Sequence, residues 1–414
     1  MYALLSMFVA LILLVALLHY KIRIGRAMLI SAFALALLLR VTPGQFLNAI
    51  VNEWNNNPLS QTTGYLFVTL TALVMLVNVL GIAMKETGVS QRLAPALHGL
   101  FRSRRFAMAL IPMMMGLLPT PGGIMLSAPM VRDLGDHIGV ERSRQSAINF
   151  FFRHQWETVW PLFPSIPLIQ GMFGITAFAM ISHNLAISLT GIVSGVIVLL
   201  LFGIPPKNKE KHKHAQLHHN LINFWHAFWP IGLVAILFAA TNLPPAIGLL
   251  AVIPVFLLYH KVSVKRWAAF YKEGFNIDFA LLILGALLFK INLEAGNAID
   301  QVVGFLSAMD VPQNVVIFFL PFLVAFLTGL TLPTVAITFP FLLPFIGTGA
   351  EAKIGLETLA FSGLVCGLLM TPVHLCLALS ASYFEAPLPK IVSKIFVPII
   401  CIACAGILMA FFSH

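Results

Sequence analysis

Charge is what this sequence has least of. Of its 414 residues only 10% are Asp, Glu, Lys or Arg, and 59% are hydrophobic. A soluble domain carries about 25% charged residues. A chain this apolar cannot present a water-compatible surface on all sides, so the lipid bilayer is its solvent. The mean hydropathy of +0.94 agrees. Cysteine is scarce too. Cys366, Cys376, Cys401 and Cys404 all lie inside apolar runs. Cys401 and Cys404 have CxxC spacing, but a redox pair needs an accessible thiolate, so all four read as packing residues. No GxxxxGK[ST], HExxH or GxSxG occurs. Nothing therefore points to a nucleotide-driven pump, a zinc protease or a serine hydrolase, nor to an enzyme of another kind. The net charge of +10 is explained by its distribution along the chain and does not require a nucleic-acid partner.

What is present is a series of long apolar runs. A membrane-crossing helix needs about 20 such residues. Ten spans are expected, at 2–20, 24–41, 62–84, 148–172, 176–203, 223–241, 244–260, 275–293, 355–384 and 388–412. The first has no basic residues before it and no small-residue cleavage site after it, so it reads as a retained span. Two further stretches, 104–132 and 313–346, are interrupted midway by helix-breaking residues. Their arms, about 14 residues or about 21 Å each, are too short for a hydrocarbon core of about 30 Å. Each is expected to be a re-entrant hairpin, with a single broken span as the alternative.

Charge supports that arrangement. With ten spans and two hairpins, the loops 20–26, 85–105, 132–147, 204–222, 260–274 and 385–394 share one side and hold 21 of the 25 Lys and Arg residues. Basic residues collect on the cytoplasmic side, so both termini are expected outside the cytoplasm, in a cell inner membrane. Arg40, Lys290 and Lys353 fall on the opposite loops and borders, with Glu53, Glu294, Asp300, Asp310, Glu351 and Glu357; Arg153 is inside a span.

Three correspondences share an offset of 208 residues: Glu86-Thr87-Gly88 with Glu294-Ala295-Gly296, Thr120 with Thr328, and Pro164 with Pro372. A fixed offset in a fixed order reads as a duplication. Each half has five spans and a hairpin. Five is odd, so the second half is inverted. The expected fold is an all-α inverted-repeat membrane protein, with halves 1–203 and 223–414 joined by a basic cytoplasmic linker, 204–222. The linker carries His212, His214, His218 and His219; it reads as a solvated loop, with metal binding or pH sensing as the alternative. In this plan a solute site lies between the halves at broken helices.

The residues that could serve such a site are few. Pro119-Thr120-Pro121-Gly122-Gly123 cannot continue a helix, and the helix starting near Gly123 points its free N–H groups at the break, where an anion can rest. Thr328, Gly329 and Thr331 make the second tip. Freed carbonyls at either break could hold Na⁺. The span around Arg153, His154 and Glu157 puts a cation and a carboxylate four apart on one helix face, between Trp156 and Trp160 and before Pro161, Pro164 and Pro167. Arg153 would attract an anion, while His154 or Glu157 exchanges protons. Thr371 and His374 flank the break at Pro372. The spacings Gly191…Gly195 and Gly363…Gly367 read as helix-packing positions.

The tip LLPTPGGIMLSAPMV, the stretch FFRHQWETVWPLFPSIPLI and the second tip LTGLTLPTVAITFPFL resemble domain of unknown function family 401, within the broader ion transporter superfamily, over essentially the whole chain. The resemblance implies paired hairpins and broken helices, a homodimer with scaffold and transport domains, and relatives that move carboxylates, gluconate, lactate, arsenite or Na⁺ and H⁺. Sodium-coupled dicarboxylate carriers of that superfamily mark their tips with Ser-Asn-Thr. Thr120-Pro121-Gly122-Gly123 has no Ser-Asn, which weighs against carrying over dicarboxylate and Na⁺. The expected function is secondary transport of a small organic anion driven by H⁺ or Na⁺. The alternatives are a cation/proton antiporter using Glu157 and His154, and a non-transporting membrane scaffold. No cofactor is expected beyond a coupling ion.

Overall fold

The computed structural model describes residues 2–89, 103–117, 124–204, 217–241 and 243–412. Helix accounts for 83%, and no strand occurs among the described residues. That follows from the solvent: in lipid every backbone N–H and C=O needs an internal partner, and a helix supplies both within one segment. The first part of the chain forms α1 (Tyr2–His19), α2 (Ile24–Leu38), α3 (Pro43–Asn56) and α4 (Thr63–Glu86). Next come α5 (Arg104–Met115), α6 (Ile124–His137), α7 (Arg142–Arg153), α8 (Ser165–Phe173) and α9 (Ala177–Gly195). After the linker follow α10 (Leu217–Thr241), α11 (Pro245–Tyr259), α12 (Val264–Gly274), α13 (Ile277–Ala295) and α14 (Ala298–Ala308). The last five are α15 (Gln313–Thr328), α16 (Thr331–Ile346), α17 (Ile354–Met370), α18 (Leu375–Phe384) and α19 (Leu388–Phe411).

Five helices among the described residues are long and apolar enough to cross a bilayer, and counting each bent pair as one span raises the number to eight. The ten spans of the sequence reading are not all continuous helices. The stretch 148–172 is divided between α7 and α8, and α11 has only 15 residues. Segments expected to be loops are also helical. Helix α3 bends 111° from α2. It starts at a capping box in which the Thr42 side chain accepts from Gln45 N and the Gln45 side chain accepts from Thr42 N, with Pro43 in the first turn. Helix α12 lies within the expected loop 260–274, and α14 follows α13 after a turn. The linker is partly helical, since α10 begins at Leu217; His212 and His214 lie outside the described residues.

The two hairpin stretches are pairs of short helices, α5 with α6 and α15 with α16, each pair in mutual contact. Helices α15 and α16 have 16 residues each, about 24 Å of rise. Helix α17 packs on α15 and α19, α19 on α9 and α7, and α7 on α5, α6 and α18. Helix α13 packs on α2, α3 and α4. Lipid tails are as apolar as leucine, so close packing and polar bonds hold such helices together. The spacing Gly363…Gly367 does this as expected: a Cβ at either position would meet Phe318 O or Phe322 O of α15 at 2.1 and 2.2 Å. Gly191 likewise faces the Gln155 side chain, and Gly195 faces Phe151.

Three residues that the sequence assigns to external loops and borders are covered by protein. Glu53 and Lys290 are buried, and Glu357 is fully buried within α17. Hydropathy places a residue along the bilayer normal but does not say which neighbour will cover it. The cysteines also divide. Cys366 is buried, Cys376 and Cys401 are half-buried, and Cys404 is exposed on the surface of α19, contrary to the expectation of four packed thiols.

Candidate functional site

Helix α7 stops at Arg153. Arg153 and Glu157 therefore do not share a helix face, as their spacing suggests; Glu157 lies in a run of turns from 154 to 164. Pro161 cannot follow helically without its ring striking the carbonyl four residues back, but the helix ends well before that clash. The carbonyls of its last turn are taken by side chains. His154 Nδ1 lies 2.6 Å from Phe150 O, and Gln155 Nε2 donates to Phe151 O at 2.7 Å. Ser188 of α9 donates its hydroxyl to Gln155 O. Side-chain capping satisfies the groups that a helix end leaves open.

A second break separates α17 from α18 at 371–374, at Pro372 as expected. Thr371 donates its hydroxyl to Phe326 O of α15 and accepts from Val373 N. The third break is the turn between α15 and α16, where Gly329 has φ +68° and a Cβ would sit 2.9 Å from His374 N. Glycine is required there on both counts.

These breaks meet. His374 Nδ1 lies 2.7 Å from Gly329 O, and His374 Nε2 lies 2.9 Å from His154 Nε2. Thr331, in the first turn of α16, donates its hydroxyl to Glu157 Oε2 at 2.9 Å. Glu157 Oε1 lies 3.8 Å from His154 Nε2. Arg153 donates through a guanidinium nitrogen to Met115 O, the last residue of α5, at 2.8 Å. Gly116 allows that approach, since a Cβ there would stand 2.1 Å from Arg153 O. The guanidinium also lies against Cys376. Arg153, His154 and Glu157 are all at least 94% buried, and His374 and Thr331 are half-buried.

Of the residues singled out in the sequence, Arg153, His154, Glu157, Gly329, Thr331 and His374 converge. Thr328 and Thr371 are near by, but their hydroxyls are spent on backbone: Thr328 donates to Val324 O at 2.8 Å. Thr120, Pro121, Gly122 and Gly123 lie outside the described residues. The Gly329 carbonyl faces His374, and the Leu330 carbonyl accepts from Thr334. Sequence reasoning missed Met115, Gly116 and Cys376. Only the thiol's place two residues after His374 hinted at the last.

The break 154–164 and the residue after it carry four buried polar atoms with no hydrogen-bond partner among the described residues: Trp156 Nε1, Thr158 Oγ1, Trp160 Nε1 and Ser165 Oγ. An indole N–H only donates. A partly open pocket of about 160 Å³ lies elsewhere, lined by Ser60, Gln61, Tyr65 and Gln170 among others. None of Arg153, His154, Glu157 or His374 lines it.

Fold and site together define an all-helical, multi-pass membrane protein with a charged and imidazole-bearing cluster where broken helices meet. The chain belongs to the family described as "Protein of unknown function (DUF401)", whose sequence model matches residues 1–412. No curated protein matches it. Among solved structures it is similar to the Alcanivorax borkumensis YdaH transporter, reported to have an unusual topology. The identity is 14%, covering 84% of this chain and 88% of that one, with a TM-score of 0.48.

Proposed function

We propose that this protein is a secondary active carrier of a small organic anion, a carboxylate in the first instance, coupled to protons. The observation that carries the reading is the convergence of Arg153, His154 and Glu157 with Gly329, Thr331 and His374. A buried arginine is costly in a bilayer and marks solute pathways. Irregular backbone at such depth is tolerated where it is covered by protein or lines a cavity. The indole N–H groups of Trp156 and Trp160, which have no partner among the described residues, favour a ligand rich in acceptors. The His154 imidazole beside Glu157, with His374 bonded to it, favours H⁺ over Na⁺, which prefers oxygen ligands.

The same reading takes the chain as two inverted halves, 1–203 and 223–414. Its support is the recurring order: α5–α6, α7, the break 154–164, α8 and α9, then α15–α16, α17, the break 371–374, α18 and α19. It places both termini outside the cytoplasm, in an inner membrane, and the working unit as a homodimer.

The test is flux through purified protein in liposomes. An inward acid gradient should drive saturable uptake of at least one of labelled acetate, lactate, succinate or citrate. Arg153→Ala should abolish it. No saturable flux across that panel would overturn the anion reading. Proton release on adding Na⁺ with no anion present, lost in Glu157→Gln, would instead establish cation/proton exchange.

A further inference from the structure

Three contacts fix the two imidazoles of the site. His154 Nδ1 is 2.6 Å from Phe150 O, His374 Nδ1 is 2.7 Å from Gly329 O, and the two Nε2 atoms are 2.9 Å apart. A carbonyl oxygen only accepts, so each Nδ1 contact requires an N–H. Two neutral imidazoles have one N–H each, and both are then used. The Nε2 atoms would face each other as bare lone pairs at hydrogen-bond distance. Moving either proton to Nε2 would leave a ring lone pair against a carbonyl. No neutral arrangement satisfies all three contacts; one with three protons does.

We infer that His154 and His374 together bind a single additional proton, shared between their Nε2 atoms, and that this imidazole–imidazolium bridge is the coupling-proton site of the carrier.

The surroundings bear on this from every packed element. On the first break, Arg153 opposes a further positive charge, and Glu157 Oε1, 3.8 Å from His154 Nε2, offsets it. From α18, Cys376 places its thiol within 4.8 Å of one ring nitrogen of each histidine. From the α15–α16 turn come only Gly329 O and the Thr331 hydroxyl, which are uncharged. The Phe150 ring lies 4.6 Å from that of His154 and 5.8 Å from that of His374, and an aromatic face favours a nearby cation. The two nitrogens and the thiol also form a soft-metal donor set by type. Metal–nitrogen bonds of about 2.0–2.1 Å at a tetrahedral angle would hold the nitrogens about 3.3 Å apart. The observed 2.9 Å is the length of an N–H···N bond, so the proton fits without rearrangement. His154 and His374 sit on different breaks. Losing the proton would set two lone pairs against each other across that junction, which gives proton release a mechanical consequence.

The coupling role rests on the carrier reading; the proton itself does not, and the experiment separates them. Protein labelled with ¹⁵N-histidine, in nanodiscs at neutral pH, should show a strongly deshielded proton coupled to two histidine nitrogens. It should vanish in His154→Gln and in His374→Gln, and persist in His183→Gln and Cys376→Ser. Thermal unfolding of each variant checks that it is folded. Because Cys376→Ser leaves both rings in place, it keeps the proposal open to refutation should the histidine variants misfold. Spectra in which both Nε2 atoms carry bare lone pairs would overturn the proposal. So would stoichiometric Zn²⁺ or Cu⁺ in the purified protein that is lost in Cys376→Ser. A bridging proton in a protein without anion flux would keep the site and sink only the carrier reading.

Discussion

Lys290 Nζ lies 2.7 Å from Glu53 Oε1, inside the fold, and joins the middle of α13 to the end of α3. The same carboxylate accepts from Thr63 N and Thr63 Oγ1, each at 2.9 Å, and Glu294 adds a second oxygen 3.3 Å from the ammonium. The pair is satisfied on both sides, which is the condition under which a buried ion pair is tolerated. Removing one partner leaves an uncompensated buried charge, at a cost of about 3–5 kcal/mol. Lys290→Met should therefore lower the thermal midpoint in detergent sharply. Lys290→Met combined with Glu53→Gln should recover most of that loss. An additive double variant would show that the two groups are not coupled.

Thr331 offers a test of the site that spares its charges. Its hydroxyl is the hydrogen bond that α16 gives to Glu157. A hydrogen bond to a charged group contributes about 1.5–3 kcal/mol, or roughly 10- to 100-fold. Thr331→Val keeps the shape and removes the donor. Uptake by the reconstituted protein should fall, and the thermal midpoint should drop in keeping with that contribution. Thr331→Ser should restore most of the flux. Equal loss in Val and Ser variants would mean that packing, not the hydroxyl, is what matters.

Much of this arrangement was readable in the sequence. Proline and glycine punctuation located the tip at Gly329 and the break at Pro372, and rare polar residues in apolar runs nominated Arg153, His154, Glu157 and His374. The end of α7 was misplaced because its cause is tertiary as well as local. The side chains of His154 and Gln155 fold back on their own helix while Ser188, from another, takes the Gln155 carbonyl. Helix α3 could have been found, since Thr42, Pro43 and Gln45 form a start signal; its polar composition made it look like a loop. Cys376 was hidden by apolar neighbours, and its place in the site comes from contact with Arg153, 223 residues away in the chain, and from its nearness to His154 and His374.

Gly329 should tolerate no side chain. Its backbone is left-handed at φ +68°, and a Cβ would press on His374 N at 2.9 Å. The conformation alone costs about 1 kcal/mol or more for alanine, and the contact adds to it. Gly329→Ala should lower the thermal midpoint and displace His374, so that uptake and the bridging-proton signal are lost together. Retention of both would mean that this turn does not set the position of His374.

At a border of the spans, pH acts on Glu141, which pairs with Lys394 and ties the start of α7 to the first turns of α19 with Nζ 2.8 Å from Oε2. The Lys394 ammonium, and then the Ser143 hydroxyl, hold the Glu141 carboxyl below its ordinary value. A depressed carboxylate contributes stability above its unfolded value, about 4.3, and loses it as pH falls through the folded value. The carboxylate is mostly exposed, so the effect is small. The thermal midpoint of the protein should exceed that of Glu141→Gln modestly near neutral pH. The difference should close as the pH drops below about 4. A gap that widens on acidification would contradict the pairing.

Glu357 is the opposite case from Glu53. It is fully buried in α17, Asn184 Nδ2 donates to its Oε1 at 3.3 Å, and its Oε2 has no partner among the described residues. No cation among the described residues forms an ion pair with it. An ion that deep without a counter-charge costs several kcal/mol, which a neutral amide of the same shape avoids. Glu357→Gln should therefore leave the thermal midpoint unchanged or raise it, where the same change at Glu53 lowers it. Glu357→Ala should destabilise by about 2–4 kcal/mol, because the side chain also fills space between α9 and α17. If Gln and Ala prove equally damaging, the carboxylate itself is required there, and Glu357 joins Glu157 as an acidic group in the protein's work.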